Sequence, residues 1–172
     1  MTLIHDPNNY WEQLERLEKL IRASELKAGV IFSFHSLVLG LFFDRFEELE
    51  VLFQSSPVFL ILTFFLFACV ISSFFYCFKC FKPQIELKYK KNVFFFGDAV
   101  KAFGTAEEYT KRLIEVCATE EELFEQLGEQ IHVESKIIEA KFKCVHKAIF
   151  FFGLSFVFGV LIIGFWLVTL IY

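Results

Sequence analysis

Cys77-Phe78-Lys79-Cys80 is a group in this 172-residue chain whose spacing could carry chemistry, since two thiols three positions apart make a redox dithiol or half of a zinc site. Zinc would need two further ligands nearby, and the sequence offers none. Incidental cysteines at a helix end, or lipidation, fit the same residues. His35, with Ser33 and Ser36, sits inside an apolar run. There an imidazole either faces a water path or forms a neutral hydrogen bond between helices. Ser135 interrupts a long apolar stripe with His132, Lys136 and Glu139 a turn or less away; this is a place for a small polar ligand, or a solvated face. Lys88, Lys90 and Lys91 could neutralise a phosphate or meet anionic head groups. The run Phe94 to Phe96 could stack on a base or pack against helices.

None of these groups makes a catalytic set. There is no glycine-rich phosphate loop, no HExxH and no strand-nucleophile-helix signature, and Glu120 to Glu122 stand where a helix start favours negative charge. No enzyme, cofactor or metal is expected. The segment 79–147 holds 12 Lys and Arg against 12 Asp and Glu, so it lacks the basic field that nucleic-acid binding requires.

The elements that must position these residues are set by hydropathy. Ala28 to Phe43, Val58 to Phe78 and Ala148 to Tyr172 are free of charged side chains over 16, 21 and 25 residues. A hydrocarbon layer about 30 Å thick needs about 20 helical residues, and Lys27 can snorkel beside the short first run. Three transmembrane helices are therefore expected. Arg16, Lys19, Arg22 and Lys27 precede the first span, the loop 44–57 carries only Arg45, and the segment 79–147 carries the other 12 Lys and Arg. By the positive-inside rule the N-terminus and residues 79–147 face the cytoplasm. The five cysteines then lie in the membrane or on its reducing side, and no structural disulfide is expected. The first 27 residues have no apolar signal-peptide core, so the first span is expected to serve as the insertion signal.

The expected architecture is an all-α membrane protein in which the first and last helices extend into the cytosol around a small insert. Asp6-Pro7 reads as a helix start, and an apolar seam of Tyr10, Leu14, Leu17, Ile21, Ser24, Ala28, Ile31, His35, Val38 and Phe42 makes 7–43 one stalk and span. The second span is 58–78. Within the sensor region 79–147, Ile85 to Tyr89 alternates like a short strand, Asn92 to Asp98 forms an aromatic turn, and Thr105/Glu108 and Thr119/Glu122 have capping-box spacing. A stripe of Phe124, Leu127, Ile131, Ser135, Ile138, Phe142, Val145 and Ile149 runs on into the third span, 148–172. Ser155 and Gly159, with Gly153 and Gly164 nearby, would let that span approach another helix, in the same chain or in a second copy.

Asn92-Val-Phe-Phe-Phe-Gly-Asp98, Glu107-Glu108-Tyr109, Gln130, Lys141-Phe142 and Glu25-Leu26-Lys27-Ala28 together resemble the Pycsar transmembrane effectors of bacterial antiphage defence. The resemblance covers nearly the whole chain. Glu25, Leu26 and Phe142 stand where that family's pattern has aspartate, glutamine and tyrosine. The resemblance implies a multi-pass inner-membrane effector, its N-terminus cytoplasmic. It would sense cyclic CMP or cyclic UMP from a partner cyclase and disrupt the membrane in abortive infection, as a homo-oligomer. On that reading Asn92, Gly97 and Gln130 meet the base, Phe96 stacks, and Lys136 and Lys141 take the phosphate. The alternative is a constitutive helical scaffold or channel subunit that binds no nucleotide.

Overall fold

The computed structural model describes residues 6–82 and 91–171, and among these no strand is present. The alternating stretch Ile85 to Tyr89 lies outside the described residues, as do Lys88 and Lys90. Six helices follow in order: α1 (Pro7–Asp44), α2 (Phe46–Ser55), α3 (Pro57–Phe81), α4 (Phe96–Lys101), α5 (Ala106–Cys117) and α6 (Glu120–Ile171). Three of them, α1, α3 and α6, are long and apolar enough to cross a membrane.

Local chemistry accounts for the boundaries. At the start of α1, Asp6 accepts the Asn8 amide at 2.9 Å. Ser56 caps α3 by accepting from the Phe59 amide, and Pro57 fills the first turn, where no backbone donor is needed. Helix α3 ends at Phe81, two residues before Pro83, because a proline disfavours helical geometry in the residue before it. Thr105 and Glu108 form the expected reciprocal capping box on α5. The stretch 44–57, expected as a loop, instead contains α2: no Pro or Gly lies between Asp44 and Ser56, and Leu49 and Phe53, one turn apart, pack on a buried cluster.

Residue contacts divide the chain into two units, the first comprising 1–22 and 84–139 and the second 23–83 and 140–172. In the second unit, the cluster Ala28, Ile31, Cys77, Cys80, Cys144, Val145 and Ala148 is built mainly from small side chains, four of them fully buried. Small residues let helix backbones approach closely, the usual substitute in lipid for a hydrophobic driving force. Ser73 donates to the Ala148 carbonyl at 3.0 Å across the same contact. A larger cluster centres on Phe59, Leu66, Val70 and Ile162. Outward, Val30, Leu37, Phe64, Ile71, Phe75, Phe150 and Ile163 are each more than half exposed, an arrangement suited to lipid rather than water.

The α1 seam is as expected: Leu17, Ser24, Ala28, Ile31 and His35 are all buried. The α6 stripe is buried as expected at Leu127, Ile138 and Val145 and half-buried at Phe124, Ile131 and Phe142, but it differs elsewhere. Its buried positions are Leu127, Gln130, Val133, Ile138, Lys141, Cys144, Val145 and Ala148, whereas Ser135 and Ile149 are exposed. A hydropathy reading excludes Gln130 and Lys141 from a buried face, so the expected stripe left them out. Gly153, Gly159 and Gly164 have open space where a Cβ would stand, so close approach in the chain rests on Cys144, Ala148 and Ser155 instead.

Candidate functional site

In the first unit the aromatic turn is fastened to α6 by amide groups. Asn92 donates through Nδ2 to the Gln126 carbonyl at 2.7 Å, and its Oδ1 accepts the Phe94 amide at 2.9 Å. The Val93 amide donates to Gln126 Oε1 at 3.3 Å, and the Asn92 amide to Asp98 Oδ2 at 2.9 Å. Tyr109 of α5 donates its hydroxyl to the Val93 carbonyl at 3.1 Å. These bonds satisfy buried polar groups of the turn from α5 and α6. They leave Asn92 only 5% exposed while Phe96, at the start of α4, stands 71% exposed. A Cβ at Gly97 would meet the Phe95 ring at 2.9 Å, so a side chain there requires that ring to move.

One turn beyond Gln126 on the same face of α6, Gln130 is buried and donates to Glu134 Oε1 at 2.9 Å. The other carboxylate oxygen, Glu134 Oε2, is buried without a hydrogen-bond partner. Burial, reinforced by the Glu18 carboxylate, raises the Glu134 pKa above its ordinary value, and the Gln130 bond offsets part of that shift. The first unit thus carries a ladder of Gln126, Gln130 and Glu134 at four-residue spacing, with an exposed aromatic ring on the turn that Gln126 fastens. Lys136, like Ser135, His132 and Glu139, lies on the exposed side of α6. Lys91 donates to the Ala102 carbonyl at 3.2 Å. Gln126 and Glu134 did not stand out in the sequence, although their period of four with Gln130 was there to be found.

Lys141 belongs to the second unit, where its side chain is 5% exposed. It donates to Glu25 Oε1 of α1 at 2.7 Å and to the Cys80 carbonyl of α3 at 2.6 Å. That carbonyl lies in the last turn of α3, where helix geometry leaves acceptors unpaired and the dipole favours a cation. Lys141 therefore ties three helices together. The residues that carried the resemblance at the two ends of the chain, Glu25 and Lys141, are partners of each other. Cys77 and Cys80 are buried free thiols packed in an apolar cluster, and among the described residues no group of His, Cys, Asp and Glu is arranged to hold a metal. His35 is 2% exposed, with Nδ1 3.1 Å from the Ile31 carbonyl and Nε2 3.2 Å from Ser155 Oγ, the bonding between helices that one of its two readings expects.

Comparison with curated proteins gives no match, and neither does comparison with solved structures. A family model, by contrast, covers residues 9–168, described as the Pycsar effector protein domain. With three apolar helices able to span a bilayer and that match along nearly its full length, this multi-pass membrane protein belongs to the Pycsar effector family of cyclic-nucleotide antiphage signalling.

Proposed function

We propose that the protein is an inner-membrane effector that senses a cyclic pyrimidine mononucleotide through its first unit and impairs the membrane in response. The observation that carries this reading is the exposed Phe96 ring on a turn fastened to α6 by the Asn92–Gln126 bond. An ordered, exposed aromatic ring in water is what a base can stack on, and base–aromatic stacking supplies about 1–3 kcal/mol. Asn92, Gly97 and Gln130 are the proposed partners of the base edge, and Lys136 of the phosphate. Lys141, in the second unit and held by Glu25, is left out of this ligand set. Helices α1 and α6 are members of both units, so a ligand that favours one arrangement of the first unit would bias the spans. The N-terminus and the first unit are cytoplasmic on this reading, and the active form is a homo-oligomer.

Cyclic CMP and cyclic UMP should each be titrated into the purified full-length protein. Saturating ligand at 100 times its Kd should raise unfolding stability by about 2.7 kcal/mol. If neither nucleotide binds or alters assembly, the sensing role fails. The rival reading, a constitutive scaffold, draws on the fact that Asn92 and Lys141 already have strong partners within the chain. It predicts dye entry into cells expressing the protein whether or not a pyrimidine cyclase is co-expressed; the effector reading predicts entry only with the cyclase.

A further inference from the structure

Two cavities in the second unit, walled by α1, α3 and α6, share four lining residues and so adjoin along one furrow. The first, about 150 Å³, is lined by His35, Val38, Leu66, Ser155, Gly159 and Ile163 among others. The second, about 510 Å³, shares Val38, Leu66, Gly159 and Ile163 and continues to Arg45 and Trp166. Its walls are apolar, with two exceptions at opposite ends. At one end His35 and Ser155 are bonded to each other. At the other stands Arg45, its side chain 65% exposed and its Nε 3.9 Å from Asp44.

The dimensions identify an occupant. From His35 to Arg45 is ten residues of helix rise, about 15 Å. That is half of a hydrocarbon layer about 30 Å thick, or one leaflet. A guanidinium at the water side of such a furrow matches a phosphodiester in geometry and charge, and an indole beside it suits the head-group level. We propose that this furrow is a lipid site, seating one acyl chain of an anionic phospholipid between α1 and α6 with the phosphate against Arg45. Gly159 lines both cavities, and a Cβ there meets nothing within 4 Å. The missing side chain leaves the middle of the furrow open for the chain.

The full-length protein, extracted in mild detergent and equilibrated with mixed phosphatidylcholine and phosphatidylglycerol vesicles, tests this by native mass spectrometry. One phospholipid should remain per chain, with phosphatidylglycerol favoured several-fold. Gly159→Phe should reduce retention at least tenfold, and Arg45→Gln should keep the lipid but lose the head-group preference. Circular dichroism checks that Gly159→Phe folds. If it does not, the solvent-exposed Arg45→Gln carries the test alone. Absence of retained lipid, retention unchanged by Gly159→Phe, or an unchanged preference in Arg45→Gln would each overturn the site. A change in subunit number in place of lipid loss would assign the furrow to a second copy and overturn it too. No nucleotide or cyclase enters these measurements, so they stand apart from the sensing proposal.

Discussion

Lys141 and Glu134 illustrate two fates of a polar side chain on a buried helix face. The Lys141 ammonium is desolvated and compensated by a carboxylate and a carbonyl. Removing one partner from such a pair leaves an uncompensated charge, and Glu25→Ala should destabilise by about 3 kcal/mol in detergent unfolding. Lys141→Met should cost less than that, because the surviving Glu25 carboxylate is 41% exposed and can be hydrated. Glu134 is the opposite case, with one oxygen buried and unpartnered. Its raised pKa means the folded chain binds the proton more tightly than the unfolded chain. Its contribution is therefore fully present below the ordinary carboxylate value and is lost as pH rises through the raised one. Glu134→Gln should stabilise by on the order of 1 kcal/mol at neutral pH and flatten that part of the pH profile, read by thermal unfolding across mildly acidic pH. The sequence named Lys141 as a cation of interest but could not supply its partner, 116 positions away.

Helix α5 depends on its first turn. Thr105→Ala removes one half of the capping box and should lower stability by about 1 kcal/mol, and restoring Ser should recover most of it. Helix α4 depends on Gly97, where Ala would press on the Phe95 ring and cost about 1–3 kcal/mol unless that ring swings away. Thr105 with Glu108 was legible because capping is a local pattern of four residues. Helix α2 was not, because a short acidic segment between two spans reads as a loop until Leu49 and Phe53 find a cluster to bury against. Two buried positions of α6 were missed for a related reason: hydropathy ranks Gln130 and Lys141 as outward, and only their partners make them inward.

Across the whole molecule, the distribution of accessible thiols gives a direct test of orientation. Cys117, in α5 of the first unit, is exposed, and the other four cysteines are buried. A membrane-impermeant maleimide should label Cys117 in inside-out vesicles and fail to label it in intact spheroplasts, and Cys117→Ser should abolish the signal. Labelling from outside would reverse the proposed topology and remove a cytosolic messenger from reach. A mixture of small buried residues inside and large apolar ones outside also predicts that transfer to detergent-free buffer aggregates the chain, since lipid is what covers Phe64, Phe75 and Phe150.

Three charge-free runs, the α1 seam and the Thr105/Glu108 capping spacing were determined by the sequence itself, because bilayer thickness, helical period and first-turn bonding are local constraints on residue type. The tertiary structure alone decided that Glu25 and Lys141 pair, that Asn92 fastens the turn to Gln126, and that α1 and α6 leave a furrow ending at Arg45. Each of these joins residues distant in the chain, and the free energy of a buried polar group depends on the partner that packing brings to it rather than on its neighbours in sequence.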